Sequence, residues 1–250
     1  MYKKLLPIAV ILLAGCQKET PSFPYELMHD NFGIDYTVSY RKPVPSPARP
    51  TMPLEEATNK VVLLLDFDGG IVSGTVWNTG SDIYYDNSGF APEEQKRILD
   101  SVRYDYSVFT GIIVTDNEQT YLNAPSRKRS RLILTTTFGF YGMAGGVSFV
   151  GSMNWGDNTP CFVFTSLLKF STKKVQEAAS HELGHTLGLY HKAYYENCVL
   201  KSEYDYGNAD FAPIMGIAYN ARRGGWTIGP TPVSCTDIQD DEKIINENSK

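Results

Sequence analysis

The sequence predicts an α+β fold, in which a twisted, mixed β-sheet carries two main helices and is followed by a small irregular C-terminal subdomain. Short apolar runs are separated by turn residues, only two segments have strong helical periodicity, and residues 192–250 contain few regular patterns. Hydrophobic residues make up 42% of the 250 positions, which is enough for a sizeable core and argues against a chain that is disordered throughout.

Each predicted element follows from a local pattern. Residues 61–70 are an apolar run that ends in two aspartates and two glycines, which predicts a buried strand running into a turn. The first helix is predicted over residues 92–109, because a proline and two glutamates precede an apolar stripe. The second helix is predicted to begin near Thr172 as its N-cap. Further strands are predicted at residues 111–115, 131–136, 147–153 and 161–165.

Residues 181–191 hold three of the four histidines in the chain. His181 and His185 are four residues apart, so on a helix they lie on one face and can present two imidazole nitrogens to one metal ion. His191 would point away from that ion on a continued helix, so the helix must end first, and Gly188 suits a left-handed terminating residue. Three neutral nitrogens with an open fourth position describe a catalytic zinc site. The alternative to a metal site is an amphipathic core helix with two histidines on its polar face. That alternative leaves the spacing of Gly188 and His191 unexplained.

The pattern His-Glu-x-x-His-x-x-Gly-x-x-His in these residues resembles the extended zinc signature of the metzincin metallopeptidases, and every specified position is met. The resemblance implies a zinc-dependent endopeptidase with a metzincin-like fold, whose two main helices lie above a cleft that takes a protein or peptide substrate. Glu182 would be the general base toward a water at the metal. An edge strand would pair with the substrate, and residues 145–151 are the matching candidate, although an internal strand fits this position equally well.

A second motif lies downstream of the histidines. The run Ala-Pro-Ile-Met-Gly at residues 212–216 resembles the metzincin Met-turn, which implies that Met215 packs beneath the zinc site without binding the metal. Tyr219 could support the oxyanion of the reaction, or it could be a packing residue like most tyrosines. Lys192, directly after the third histidine, differs from the residues found in the best-known branches of the family, so no subfamily is assigned.

The N-terminus has the pattern of a lipoprotein signal. Two lysines precede the uncharged residues 5–15, a run that is too short to span a bilayer but is typical of a secretory signal. Residues 13–16, Leu-Ala-Gly-Cys, resemble the lipobox of bacterial lipoproteins, which implies cleavage before Cys16 and its lipidation. An ordinary secreted signal with a chance cysteine is the alternative. The residues after Cys16 favour a lipid-anchored protein of the outer membrane, with the anchor facing either the periplasm or the cell surface.

The predicted organisation has four parts: a signal peptide at 1–15, a Pro-rich tether or latency segment at 16–55, an upper catalytic subdomain at 56–191 and a lower subdomain with the Met-turn at 192–250. The prolines of the second part impose extended backbone and favour a tether. A latency segment would instead place a ligand on the zinc, with His29, Asp30 and Asp35 as the candidates.

The charge balance restricts the partners. Removing residues 1–15 takes away two of the 23 basic residues and none of the 28 acidic residues, so the net charge changes from −5 to −7. A chain with this negative net charge lacks the excess of basic residues that binding to nucleic acid requires. The expected partners are therefore a protein or peptide substrate and, through the N-terminal lipid, a membrane.

Two other functions fit parts of the sequence. A strand ending in Asp66-x-Asp68-Gly resembles the first motif of haloacid-dehalogenase-like phosphatases, with Asp66 as nucleophile, Asp68 as acid/base and a magnesium ion, but the regular strand and helix alternation of that fold is missing. These aspartates are better explained as acceptors for backbone amides or a structural cation, and nothing else supports a Ca²⁺ site. The non-enzyme alternative is an inert surface lipoprotein that binds peptide or glycan, against which the intact Glu182 argues.

The cysteine count is odd once Cys16 is lipidated. Three cysteines then remain for an oxidising compartment, so one stays unpaired or acts between molecules. Cys198 and Cys235 both lie in the C-terminal part and could form a disulfide worth ~3 kcal/mol. Cys161 lies in a predicted buried strand, which argues against a catalytic thiol.

Overall fold

The computed structural model describes residues 27–30, 38–41 and 59–250. The signal peptide, Cys16 and Asp35 therefore lie outside the described residues. Within the described part, the α-helices are α1 Pro92–Tyr106, α2 Glu118–Asn123, α3 Thr172–Thr186 and α4 Asp241–Asn248. The strands are β1 Leu27–Asp30, β2 Val61–Asp66, β3 Gly70–Val72, β4 Ile83–Tyr85, β5 Ile112–Thr115, β6 Arg129–Thr135, β7 Gly146–Phe149, β8 Cys161–Phe164, β9 Tyr194–Glu196, β10 Val199–Ser202, β11 Phe211–Pro213, β12 Arg223–Gly225, β13 Ile228–Thr231 and β14 Ser234–Asp240.

A mixed six-stranded sheet forms the centre of the molecule, with the strand order β1-β7-β8-β6-β2-β5. Four of these strands, β5, β2, β6 and β8, run parallel to one another. β7 runs antiparallel to β8, and β1 runs antiparallel to β7. The prediction of an α+β fold with a mixed sheet is confirmed.

The two long helices pack on one face of this sheet because alternate side chains of each strand point to opposite faces. In β2, Val61, Leu63 and Leu65 face a core shared with α1 and α3, whereas Val62 and Leu64 pack against residues of α2. The helices contribute apolar residues at helical spacing, among them Ile98, Leu99, Val102, Val175, Ala179 and Leu183. The sheet thereby holds α3, which carries two of the candidate metal ligands.

Several boundaries differ from the prediction. β7 ends at Phe149 instead of residue 153, because Gly151 adopts a left-handed φ of 71° and begins a 3₁₀ turn. The N-cap of α3 is Ser171 rather than Thr172, and the Ser171 hydroxyl accepts a hydrogen bond from the Lys174 amide. α1 ends at Tyr106 rather than at residue 109.

The region assigned to a tether or a latency segment contributes a strand to the sheet. Within residues 16–55, β1 pairs along the whole length of β7, from Leu27 opposite Phe149 to Asp30 opposite Gly146. β7 is therefore an internal strand of the described sheet, and its outer neighbour comes from the N-terminal region.

The C-terminal part has more regular structure than its sequence pattern predicts. Residues 192–250 contain a β9–β10 hairpin, a parallel β11–β12 pair, a β13–β14 hairpin and α4. Cys198 and Cys235 form a disulfide, with their Cα atoms 5.3 Å apart. Most of these strands have only three or four residues, which is too short for a period of two to stand out. None of the helices in the described ranges is long and apolar enough to cross a bilayer.

Candidate metal centre

Three histidines converge at the end of α3. His181 and His185 lie one turn apart on the helix, and His191 follows in the loop after it. One ring nitrogen from each histidine lies within 4.8 Å of those of the other two, and all three side chains are buried. The ring centroids are 4.6 to 5.1 Å apart. These distances suit three ligands around one metal ion.

The end of α3 returns the chain so that His191 can join the other two histidines. The helix ends at Thr186, and Gly188 follows with a left-handed φ of 99°. The Gly188 amide donates to the His185 carbonyl at 2.8 Å, and the Leu189 amide donates to the Gly184 carbonyl at 3.1 Å. This pair of hydrogen bonds is the Schellman motif. Gly188 thus has the conformation that the spacing of the histidines requires.

Backbone carbonyls fix the orientation of the first two imidazoles. His181 Nδ1 lies 2.7 Å from the Ile214 carbonyl, and His185 Nδ1 lies 2.7 Å from the Leu189 carbonyl. A carbonyl can only accept, so each Nδ1 carries the proton and leaves Nε2 to bind a metal. The ring of Tyr204 packs on His191, with the centroids 4.4 Å apart. A set of three neutral imidazoles fits zinc and does not fit calcium or magnesium, which prefer oxygen ligands.

The segment around Met215 supports two of these ligands. A Cβ added to Gly184 would lie 2.7 Å from Met215 Sδ, so the methionine packs directly against α3 below the histidines. The Ile214 carbonyl accepts from His181, as described above, and the Met215 carbonyl accepts from the Lys192 amide at 2.7 Å. The structure therefore places the predicted Met-turn residue, Met215, against the helix that carries His181 and His185. The backbone of this segment also forms hydrogen bonds with His181 and with Lys192, which follows His191.

Glu182 lies between α3 and β7 and is fully buried. A Cβ added to Gly146 would lie 2.2 Å from Glu182 Oε1, so any larger residue would require the carboxylate or β7 to move. The Ser148 hydroxyl donates to the Glu182 carbonyl at 3.0 Å. β7 therefore lies directly against the predicted general base.

A narrow pocket borders the first histidine. Glu177, Ala178 and His181 line it from α3, and the segment that follows the Met-turn closes it, including Tyr219. The Lys174 ammonium lies 5.9 Å from the centre of the Tyr219 ring. Tyr219 thus lies beside the histidine cluster, in a wall of the pocket.

The C-terminal segment holds the loop that carries His191, which the sequence analysis missed. The carboxamide of Gln239 bonds to both backbone groups of Tyr190, and the Asn248 carboxamide donates to the Leu187 carbonyl at 2.7 Å. Gln239 lies 49 residues from Tyr190 along the chain. No local pattern marks either residue, so only the fold could reveal these contacts.

Lys192, whose identity sets this chain apart from the best-known metzincin branches, is buried against Asp241. Its ammonium lies 2.9 Å from the Asp241 carboxylate, and the two side chains are 1% and 0% exposed. Burial lowers the pKa of Lys192 and raises that of Asp241, and the attraction between the two charges opposes both shifts. The residue after the third histidine thus connects the site to the first turn of α4.

Asp66 belongs to a separate buried network. Its carboxylate accepts from Arg131 at 2.7 Å, from the Tyr85 hydroxyl at 3.0 Å and from the Asp68 amide at 3.0 Å. Burial raises the pKa of Asp66, and the neighbouring Arg131 cation opposes that shift. The Arg131 guanidinium already lies against the carboxylate, so these contacts agree with a structural role rather than with the nucleophile of a phosphatase.

Cys161 lies in β8 and is fully buried among apolar side chains. Burial raises the pKa of its thiol well above the usual value, so the thiol stays neutral. A neutral, inaccessible thiol is a poor nucleophile, in agreement with the absence of a catalytic role.

Comparison with known proteins agrees with this geometry. Residues 128–235 match the family model described as Metallo-peptidase family M12B Reprolysin-like. The matched range runs from the start of β6 into β14 and contains the three histidines, Glu182 and Met215. A search of curated proteins gives no significant match.

Proposed function

We propose that this chain, a zinc metallopeptidase of the metzincin type, is an endopeptidase of extracytoplasmic proteins or peptides and uses Glu182 as its general base. The observation that carries the proposal is the convergence of three buried imidazoles on and just after the helix that also carries the buried Glu182. His181, His185 and His191 would hold the ion. Three neutral nitrogens favour zinc over the other common biological cations.

In the proposed peptide hydrolysis, the three histidines and Glu182 have different roles. A zinc ion held by three imidazoles lowers the pKa of a water toward about 7 and polarises a carbonyl group. Glu182 accepts the proton of the attacking water and passes it to the leaving amine nitrogen. The carboxylate lies in a site from which water is largely excluded, where its charge acts more strongly than in bulk solvent.

The substrate is an extended peptide. β7 lies beside Glu182, and the family resemblance places an extended substrate along this strand, whose outer edge is paired with β1 in this structure. Pairing of the substrate along a strand supports cleavage within a chain rather than at a free terminus.

The protein acts in the cell envelope in this proposal, anchored through lipidated Cys16 in the outer membrane. Two features support this: the lipobox-like residues before Cys16, and the disulfide between Cys198 and Cys235, which suits an oxidising compartment. Cys16→Ser is expected to release the protein from membranes or to leave an unprocessed precursor. Unchanged fractionation and lipid labelling would show that the anchor is assigned wrongly.

Two substitutions test the catalytic assignment. Glu182→Gln keeps the size and hydrogen-bonding capacity of the side chain but removes the base, so zinc content should survive while cleavage of labelled casein falls by about 10² to 10⁴. His185→Ala removes a ligand, so metal and activity should be lost together. Wild-type cleavage by a zinc-loaded Glu182→Gln protein would refute the mechanism, and a zinc-loaded parent that binds peptides without cleaving them would indicate the inert-lipoprotein alternative.

A further inference from the structure

The third candidate ligand has a different setting from the first two. His181 and His185 lie on α3, and a backbone carbonyl faces the Nδ1 atom of each. His191 lies beyond the end of the helix, so the direction of its imidazole depends on the segments that pack against it. Residues that orient a ligand in this way contribute to metal affinity although they do not bind the metal.

Tyr204 packs on the imidazole of His191. The centroids of the two rings are 4.4 Å apart, and the ring planes are inclined by 38°. His191 is buried and Tyr204 is half-buried, so the contact covers part of the imidazole from solvent. Two flat rings in contact at this distance restrict each other's rotation, so the ring of Tyr204 limits the directions in which the ligand nitrogen of His191 can point.

The backbone next to Tyr204 is bonded to the backbone next to His191. The Asp205 amide donates to the Lys192 carbonyl at 2.6 Å, so the residues that follow the two rings are joined directly. The Asp205 carbonyl accepts from the Ile217 amide at 2.9 Å, just after the Met-turn. The two rings are therefore brought together by hydrogen bonds of the main chain as well as by their own contact.

The β9–β10 hairpin anchors the loop that carries Tyr204. The disulfide between Cys198 and Cys235 joins the turn of this hairpin to β14. The Tyr195 hydroxyl donates to the Thr231 carbonyl at 3.0 Å, which attaches the hairpin to β13. These attachments do not use a histidine side chain, so the fold itself places Tyr204 at the metal centre.

We propose that Tyr204 is a positioning residue of the metal centre, whose ring holds the imidazole of His191 in the direction that a zinc ion requires. The inference rests on the proposed zinc peptidase function and adds a residue to its site. Tyr204 acts through His191 and does not itself touch the metal or the substrate in this role. Because the contact is made by the face of the ring, the hydroxyl group is dispensable for it.

Two substitutions at this position separate the ring from the hydroxyl group. Tyr204→Phe keeps the flat ring and should bind zinc with the affinity of the parent. Tyr204→Leu keeps an apolar side chain but removes the ring, so zinc affinity, measured by competition with a chelator, should fall about 10- to 100-fold. Tyr206→Leu makes the same change at an exposed tyrosine of the same loop and is the matched control.

Cobalt supplies a readout that a general loss of stability would not change. The visible absorption bands of Co²⁺ depend on the geometry of its ligands. At saturating Co²⁺, the bands of Tyr204→Leu should be shifted, whereas those of Tyr204→Phe and Tyr206→Leu should match the parent. Parental affinity and bands in Tyr204→Leu would overturn the proposal, and lower affinity with unchanged bands would indicate a structural role alone. An equal loss in Tyr204→Phe would assign the effect to the hydroxyl group and also contradict the proposal.

A further variant covers the case in which Tyr204→Leu does not fold, judged by near-ultraviolet circular dichroism of the disulfide-intact protein. Tyr204→Met fills more of the same space without a flat ring, so it should show the same loss of affinity and the same shifted bands. If the parent itself binds no zinc, the proposed function fails. If the parent binds zinc and cleaves casein through Glu182, but zinc affinity and cobalt bands do not depend on the ring, only the role of Tyr204 is refuted.

Discussion

Gln239 pairs with Tyr190 as one backbone strand would pair with another. Its Oε1 accepts from the Tyr190 amide at 2.8 Å, and its Nε2 donates to the Tyr190 carbonyl at 2.8 Å. Tyr190 immediately precedes His191, so this pair fixes the chain at the third candidate metal ligand. Gln239 thus holds the backbone next to His191 without belonging to the histidine cluster.

Removing the Gln239 carboxamide should weaken zinc binding. In Gln239→Ala, both backbone groups of Tyr190 lose their partner and the loop before His191 becomes less ordered, so we expect affinity to fall about 10- to 100-fold. Competition with a zinc chelator measures the change. Gln119→Ala, at an exposed glutamine of α2, is the control. An affinity that matches the control would show that Gln239 does not position His191.

The buried ion pair of Lys192 and Asp241 should be asymmetric in its response to substitution. Lys192→Met leaves the Asp241 carboxylate buried without its cation, which is expected to cost about 3 to 5 kcal/mol of unfolding free energy. Adding Asp241→Asn removes the stranded charge, so the double variant should be more stable than Lys192→Met alone. Urea denaturation of the disulfide-intact protein measures the unfolding free energy of each variant. If the single and the double variant are equally stable, the buried unpaired charge of Asp241 is not the cause of the loss.

Gly146 should be essential for catalysis but not for metal binding. The added methyl group of Gly146→Ala would meet the Glu182 carboxylate at 2.2 Å, so the base or β7 must move. We expect kcat to fall about 10²-fold while zinc content is retained, because small displacements of a catalytic group are costly. Gly139→Ala is a matched control, since its methyl group would meet nothing within 4 Å. Full activity in Gly146→Ala would argue against Glu182 as the base.

Asp105 should make stability fall as the pH rises. Burial, together with the nearby Glu177, raises its pKa from 3.8 to about 7, although the Ser180 hydroxyl donates to its carboxylate and opposes the shift. Between pH 4 and 7 the unfolded chain loses this proton before the folded protein does, so the folded state is progressively destabilised, and the loss is complete above pH 7.

Asp105→Asn tests this pH dependence. The uncharged amide should raise Tm relative to the parent at pH 8 by several degrees, and the difference should shrink at pH 5. Asp100→Asn, at an exposed position of α1, is the control for a general change in charge. A difference that does not depend on pH would show that Asp105 is not the responsible group.

The metal centre was predictable because its information is local. His181, His185, Gly188 and His191 lie within eleven residues, and their spacing alone requires a helix that ends between the second and third ligands. The contacts of Gln239, Lys192 and Tyr204 depend on how distant segments meet, and no periodicity in the chain encodes that.

The position of β1 was not predictable for a different reason. A four-residue strand is too short to give a clear alternation, and the prolines that follow it favour a tether. Its place in the sheet depends on pairing with β7, a strand distant along the chain, which no local pattern encodes. The α+β class was easier to predict, since long apolar runs and two strongly amphipathic helices determine it.

The contacts of the C-terminal segment also have a consequence for a chain that is still being synthesised. A ribosome releases the histidines about fifty residues before Gln239, Asp241 and Asn248, the three residues that hold the loop of His191 from the far end of the chain. An emerging chain therefore carries all three ligands but lacks the supports of the third one. The loop of His191 gains its full set of supports only after synthesis has passed residue 248.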